Sequence, residues 1–253
     1  MRSVLPVALL ACASVPPPET PDALRIMGYN VLYDAPSPEA SVALIARENP
    51  DIVCLRELRP PMLKVFRAEL GDRYPHAFVR ARRSGTWGAA IFSKHPLRAR
   101  RVFPAKPHRL PVLEATVRAP NVGDVVVACV HLVPPFMAHG ASSGPIETLQ
   151  RNDALRTRQA KQFVKRYRGR SPLVLVGDFN EEDDDAMETL YAAGFTNACD
   201  DADCAATWPG ATSSWPAVVR IDHVLTRGLR VVAAHVPSGG GSDHQPIVAA
   251  VAR

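Results

Sequence analysis

Between Asp72 and Glu114 the chain has no acidic residue, while the same stretch carries ten lysines or arginines: Arg73, Arg80, Arg82, Arg83, Lys94, Arg98, Arg100, Arg101, Lys106 and Arg109. Such a gap reads either as an anion-binding face or as a solvated basic surface. The formal charge is only +5 and the pI about 9.1, so the distribution of charge says more than its total. No apolar run approaches the ~18 residues that a membrane-spanning helix needs. No repeat or low-complexity block comes after the proline-rich start. Cys199 and Cys204 have neither a second close cysteine pair nor a His-x-x-x-His to complete a zinc site. A zinc site at this pair is therefore the weaker, competing reading. The 253 residues, 47% hydrophobic, fit one large domain or two small ones with a sizeable core.

The amino terminus has the layout of an export signal: Arg2, the apolar stretch Val4 to Ala11, then Cys12. Leu9-Leu10-Ala11-Cys12 resembles a bacterial lipobox, with Cys12 the lipidated residue and a membrane attachment point. Residues 12–22, rich in proline, read as a stiff extended tether. The division is then 1–11 signal, 12–22 tether and 23–253 folded domain. Cys54 and Cys129 lie in apolar runs and are expected to be core thiols. Cys199 and Cys204 flank a polar loop, where export would favour a local disulfide.

Strand-like apolar runs fall at 24–31, 51–55, 88–93, 112–118, 124–132, 172–177, 221–226, 229–236 and 246–251. Ser37-Pro38-Glu39 starts a helix that should end near Asn49-Pro50. Pro60 opens another, to about Leu70. Residues 146–168 carry apolar positions at helical spacing: Ala160, Phe163, Val164 and Tyr167. Asp183-Asp184-Asp185 should cap a short helix through Ala193. Strands dominate and helices alternate irregularly, so the class is mixed α/β without regular βαβ winding.

The run Leu173-Val174-Leu175-Val176 ends in Gly177-Asp178-Phe179-Asn180. It reads as a buried strand that lifts Asp178 and Asn180 to one face at its carboxyl end. Alone, this string is also a respectable Gly-Asp turn with an Asn bonding its own backbone. Other strands end in polar residues in the same way: Asn30, Arg56-Glu57, His131 and Asp222-His223, with Ser242-Asp243-His244-Gln245 before the last run. A lone polar strand end is usually structural, but six in one domain point to convergence on one site at a sheet edge.

The order Asn, Leu-x-Glu, Val-His-Leu, Gly-Asp-Phe-Asn, Ile-Asp-His, Ser-Asp-His resembles the endonuclease/exonuclease/phosphatase superfamily, over about residues 24–251. The resemblance implies a four-layer α/β sandwich, with two packed, mostly antiparallel β-sheets flanked by helices, and hydrolysis of phosphate esters with Mg²⁺ or Mn²⁺. It implies Glu57 as metal ligand with Asn30 beside it and Asp243 assisting. Asp178 would orient or deprotonate the attacking water, and Asn180 would donate to a phosphate oxygen. His244 would act at the scissile phosphate with Asp222 holding its ring, and His131 would be a second imidazole there. Arg82, Arg83 and Arg109 are the expected substrate-binding cations.

Three departures stand out. Arg56 occupies a place where the family usually has Gln. His131 has no acid in the 76–93 region to serve as its partner, unlike pancreatic-type deoxyribonucleases. His131-Leu132-Val133-Pro134-Pro135 differs from the segment of abasic-site nucleases. The expected substrate is nucleic acid, acted on by a monomer. A phospholipid or sphingomyelin headgroup is the alternative, and an inactive surface-tethered binding module is the alternative of another class.

Overall fold

The computed structural model describes residues 22–81, 88–103, 110–137 and 144–253. Arg82, Arg83, Arg109, Lys106 and Cys12, with the signal and nearly all of the tether, lie outside the described residues.

The strands are β1 (Leu24–Asn30), β2 (Ile52–Arg56), β3 (His76–Arg80), β4 (Ala89–Ser93), β5 (Leu97–Val102), β6 (Leu113–Ala119), β7 (Gly123–His131), β8 (Leu173–Asp178), β9 (Thr196–Asn197), β10 (Asp222–Arg227), β11 (Arg230–His235) and β12 (Ile247–Ala252). The helices are α1 (Pro38–Glu48), α2 (Pro60–Leu70), α3 (Pro145–Arg166) and α4 (Asp185–Tyr191). They build two six-stranded sheets, in the orders β11-β12-β1-β2-β4-β3 and β5-β6-β7-β8-β10-β9. Each sheet has one parallel pair, β1 with β2 and β7 with β8; the other pairings are antiparallel.

Three apolar layers result from the alternation of side chains along these strands. Ile26, Ile52, Cys54, Val127, Cys129, Val174 and Val176 fill the space between the sheets. Met27, Tyr29, Val53 and Leu55, one residue out of phase, pack with Ile45 and Phe66 of α1 and α2. Ala128, Val130, Leu173 and Leu175 pack with Ala160, Phe163 and Leu190 of α3 and α4. The result is helix, sheet, sheet, helix: the expected four-layer sandwich.

The two sheets pack tightly at Gly28, next to the functional edge. A Cβ on Gly28 would meet Val176 Cγ2 at 2.8 Å. Gly177 has φ +137°, and a Cβ there would lie 2.2 Å from Val130 O. Glycine at position 28 lets β1 and β8 approach across the sheets, and glycine at 177 lets β8 take its positive φ against β7 in the same sheet.

Two expectations need correction. Cys54 and Cys129 are joined in an inter-sheet disulfide and are not free thiols. Each sits on the inward face of its strand, so facing sheets bring together cysteines 75 residues apart. The first-turn N–H groups of α4 are met not by the Asp183–Asp185 run but by Glu181, whose Oε1 accepts from Ala186 N (2.7 Å) and Met187 N (3.2 Å). The aspartates stay at the surface, where hydration competes with capping. The Cys199–Cys204 disulfide is present as expected.

Candidate active site

The site lies where β1, β2, β7 and β8 end and β10 begins. The registers Asn30↔Arg56, His131↔Asp178 and Asp222↔Asp178 set these residues side by side. After each of β1, β2 and β8 the backbone enters the left-handed region at a non-glycine residue: Leu32 (φ +55°), Glu57 (φ +57°) and Asn180 (φ +52°). Such backbone costs on the order of 1 kcal/mol per residue and persists where the surroundings over-determine it. Here it turns the chain sharply so that strand-end side chains face one another across the two sheets.

Asn30 is the bridge. Its Nδ2 donates to Glu57 Oε1 at 3.1 Å and to Asp178 Oδ2 at 3.0 Å, and its Oδ1 accepts from Leu32 N at 3.2 Å. Glu57 Oε2 accepts from Tyr33 N at 3.2 Å. Asp178 Oδ1 accepts from Asn180 N at 2.8 Å. Asn180 Nδ2 donates one bond to Leu132 O at 3.1 Å, which ties the β8 turn to the end of β7.

His244 Nδ1 donates to Asp222 Oδ2 at 2.8 Å, and His244 Nε2 lies 3.8 Å from Asp178 Oδ2. The ring is carried by a fixed loop. Ser242 Oγ donates to Asn30 O at 2.7 Å and accepts from His244 N at 3.1 Å. Thr207, which no sequence signal marked, locks that loop to β10. Its carbonyl accepts from Gln245 N at 2.7 Å, and its Oγ1 accepts from Ile221 N (3.0 Å) and Asp222 N (3.2 Å).

His131 Nε2 lies 3.4 Å from Asp178 Oδ2, so a carboxylate neighbour comes from the adjoining strand and not from the 76–93 region. Among the described residues neither His131 ring nitrogen has a hydrogen-bond partner. His223, next to Asp222, points away from the site. Its Nε2 donates to Glu181 O at 2.9 Å, and its Nδ1 accepts from Asn197 Nδ2 at 2.9 Å. Asp243 is half-buried beside Ser242, with Oδ1 3.5 Å from the hydroxyl.

Burial dominates the electrostatics. It raises Asp178 to about 7, against the pull of His244 and the Asn30 and Asn180 bonds. It raises Glu57, against the bonds from Asn30 and Tyr33. It opposes charge on His244 too, but Asp222, Asp178 and Asp243 together outweigh it and lift the imidazole to about 10. His131 is pushed well below 6.5 by burial, with the positive charges of Arg56 and His244 adding to the effect. The centre thus pairs an imidazolium with a carboxyl poised near neutrality and a neutral imidazole, a set suited to moving protons.

A hard cation fits this donor set. Glu57 is a buried carboxylate that makes no ion pair with a basic side chain among the described residues. Oxygen donors of this kind suit Mg²⁺ or Mn²⁺. Asp178, Asp222 and His244 also offer ligand atoms within 4.8 Å of one another. Of these, Asp222 Oδ2 and His244 Nδ1 are engaged with each other, while Asp222 Oδ1 has no hydrogen-bond partner among the described residues and His244 Nε2 faces Asp178. Asn30 turns its N–H groups, and not its oxygen, toward the carboxylates, which is the posture of a bridge between them.

Comparison with known proteins agrees with this architecture. The sequence profile of the Endonuclease/Exonuclease/phosphatase family matches residues 27–244. An endonuclease/exonuclease/phosphatase from Beutenbergia cavernae superimposes with a TM-score of 0.66 at 22% identity, covering 91% of this chain and 71% of that one. TDP2 of D. rerio, solved with a single-strand DNA product, gives 0.67 at 15% identity, covering 91% and 99%. The 3' phosphatase NExo from Neisseria, bound to a product DNA hairpin, gives 0.64 at 21% identity, covering 90% and 98%. No curated protein matches in sequence. By the profile match over most of its length, the chain belongs to the endonuclease/exonuclease/phosphatase family of metal-dependent phosphoester hydrolases.

Proposed function

We propose that this protein is an exported Mg²⁺- or Mn²⁺-dependent phosphodiesterase whose substrate is nucleic acid. The observation that carries the chemistry is the continuous polar network Glu57–Asn30–Asp178 beside His244–Asp222, buried at one edge of the sandwich. Glu57 would hold the metal, which when bound neutralises charge on a phosphoryl oxygen. Asp178, raised toward neutrality, takes the proton of the attacking water. His244 carries an N–H and a positive charge to a phosphoryl oxygen, and Asp222 fixes the orientation of its ring. Asp178 and His244 stand 3.8 Å apart, close enough to act on one phosphoryl group. His131, neutral, offers a further hydrogen bond. Asn180 keeps one N–H for a phosphate oxygen, the other being committed to Leu132 O. Asp243 is placed to assist at the metal from beside Ser242.

Support for nucleic acid comes from exposed Arg98, Arg100 and Arg101 on the edge strand β5 and from Arg80 at the end of β3. Two family neighbours were solved with DNA products. Export is supported by two disulfides, which persist in oxidising compartments.

A phospholipid headgroup is the second reading, and a specific observation favours it. Phe136 (70% exposed), Ile146 (74%), Trp215 (78%) and Val218 (67%) stand out from the segments after β7 and before β10, at the edge that carries the site. Protruding aliphatic and indole side chains suit a lipid–water interface.

A plasmid-nicking assay run beside a liposome headgroup-release assay, with Mg²⁺, on wild type and Asp178→Ala, separates the readings. Nicking that weakens steeply with salt and is lost in the variant is the expected result. Headgroup release without nicking would move the substrate to lipid. Activity in neither assay, with either metal, would defeat the phosphodiesterase reading.

A further inference from the structure

Arg56 is fully buried, its exposure 0%. It is the register partner of Asn30 in the parallel β1–β2 pair, so the two side chains leave their strands on the same face. That face looks into the space between the sheets, because Tyr29 and Leu55, one residue earlier, pack outward against the helices. Arg56 Nη1 donates to Pro111 O at 2.9 Å and, at the limit of 3.5 Å, to Cys129 O, two residues before His131. The guanidinium therefore lies across the floor of the site, beneath Asn30 and beside β7.

Its guanidinium makes no direct ion pair among the described residues, and the charges of Asp178 and Glu57 act on it through space. Nε and Nη2 lack a hydrogen-bond partner among the described residues, and no carboxylate there forms an ion pair with it. The other buried arginine among the described residues, Arg156, shows the usual solution: it is ion-paired to Glu181 at 2.9 Å and also to Asp153. A buried guanidinium left without such a pair is costly, and each such group in a native fold calls for a reason. The nearest reason is the pair of buried carboxylates that Asn30 clasps, Glu57 and Asp178. Two carboxylates sharing one amide repel each other, and an arginine remains charged at any physiological pH.

We infer that Arg56 is a positioning residue: an internal counter-ion, set beneath Asn30, that holds Glu57 and Asp178 together before any metal arrives and thereby limits how tightly the centre binds a divalent cation. This rests on the metal-dependent reading of the site. Arg56 touches neither substrate nor metal; it acts through the two carboxylates. The physical consequence has an unusual sign. Removing the fixed positive charge should strengthen metal binding, whereas damage to a merely structural side chain should weaken it.

The test is Mn²⁺ binding to the full chain by calorimetry, with thermal melts in the absence and presence of Mn²⁺. Arg56→Gln and Arg56→Met should each bind Mn²⁺ about tenfold tighter than wild type. Their melting temperatures should rise more on adding the metal, as tighter binding to the folded state requires. Arg56→Lys, which keeps the charge, should stay near wild type. Neutral variants that fold but bind Mn²⁺ no tighter than wild type would overturn the inference and leave the metal reading standing. Neutral variants that fail to fold would make Arg56 structural and equally end it. Wild-type protein that binds no Mn²⁺ would remove the metal reading together with this one.

Discussion

His244 Nδ1 and Asp222 Oδ2 stand 2.8 Å apart, and both residues are buried. The carboxylate accepts the Nδ1–H bond and so orients the ring, presenting Nε2 toward Asp178. It also contributes, with Asp178 and Asp243, to overcoming the burial that opposes charge on the ring. Asp222→Asn keeps the shape and removes that charge. Turnover should fall by roughly a hundredfold or more, in the range of a displaced general acid or base. The His244 imidazole should titrate well below the value of about 10 that it has in the intact pair. Steady-state kinetics and NMR titration of the ring check the two halves; an unchanged titration would show that the pair does not set the ring's charge.

Glu57 offers a second, opposed pair of effects. Its buried carboxylate is raised by burial despite two hydrogen bonds, so it burdens the metal-free fold. Glu57→Gln should leave the metal-free melting temperature equal or higher. The metal concentration needed for half-maximal activity should rise by roughly tenfold or more. A metal titration of activity, paired with melts in chelator, checks this. A variant with wild-type metal requirement would take Glu57 out of the ligand set.

Much of this centre was legible in the chain because strand ends announce themselves. A run such as Leu173 to Val176 can only be buried, so the polar residues at its carboxyl end must stand at a sheet edge. The same logic located Asn30, Glu57 and His131, while Asp222 stands at the start of its strand, β10. The features that escaped did so for physical reasons. The role of His223 is one: Asp222-His223 reads as one motif, yet adjacent residues on a strand face opposite ways, so Asp222 holds His244, as the resemblance implied, while His223 turns to Glu181 and Asn197. Cys54 and Cys129 look like two core thiols because 75 residues of chain hide their contact. Edge strands β3 and β5 carry too few buried positions to make an apolar run. Thr207 has no signal at all; its importance lies in which N–H groups reach it.

His223 ties stability to pH. Burial holds its imidazole down from the usual 6.5 to about 4, and both ring nitrogens are satisfied in the neutral form. Above pH 6.5 the ring is neutral whether the chain is folded or not, and it contributes no pH dependence. As pH falls from 6.5 toward 4, the unfolded chain takes up a proton that the folded one refuses, so stability declines. Below about 4 both forms are protonated and the loss levels off. Over that window the cost is about 3 kcal/mol. His223→Gln should melt with a visibly flatter pH dependence between 6.5 and 4, even if its stability at neutral pH is lower. Parallel curves for the two proteins would show that the imidazole is not the titrating group.

The two disulfides should differ in what they contribute. Cys54–Cys129 closes a sequence separation of 75 residues, and Cys199–Cys204 one of 5. Cross-linking removes unfolded-state entropy that grows with the logarithm of the loop. Losing the long link should therefore cost about 4 kcal/mol, and losing the short one about 2 kcal/mol. The long link also joins β2 and β7 directly below Glu57 and His131, so its loss should loosen the two halves of the site. Denaturant melts of Cys54→Ala/Cys129→Ala and Cys199→Ala/Cys204→Ala measure the stability difference. Turnover at a temperature where both variants remain folded measures the second effect, and it should fall in the first variant and hold in the other. Equal turnover in the two would show that the polar contacts through Asn30 and Arg56 suffice to register the sheets at the site.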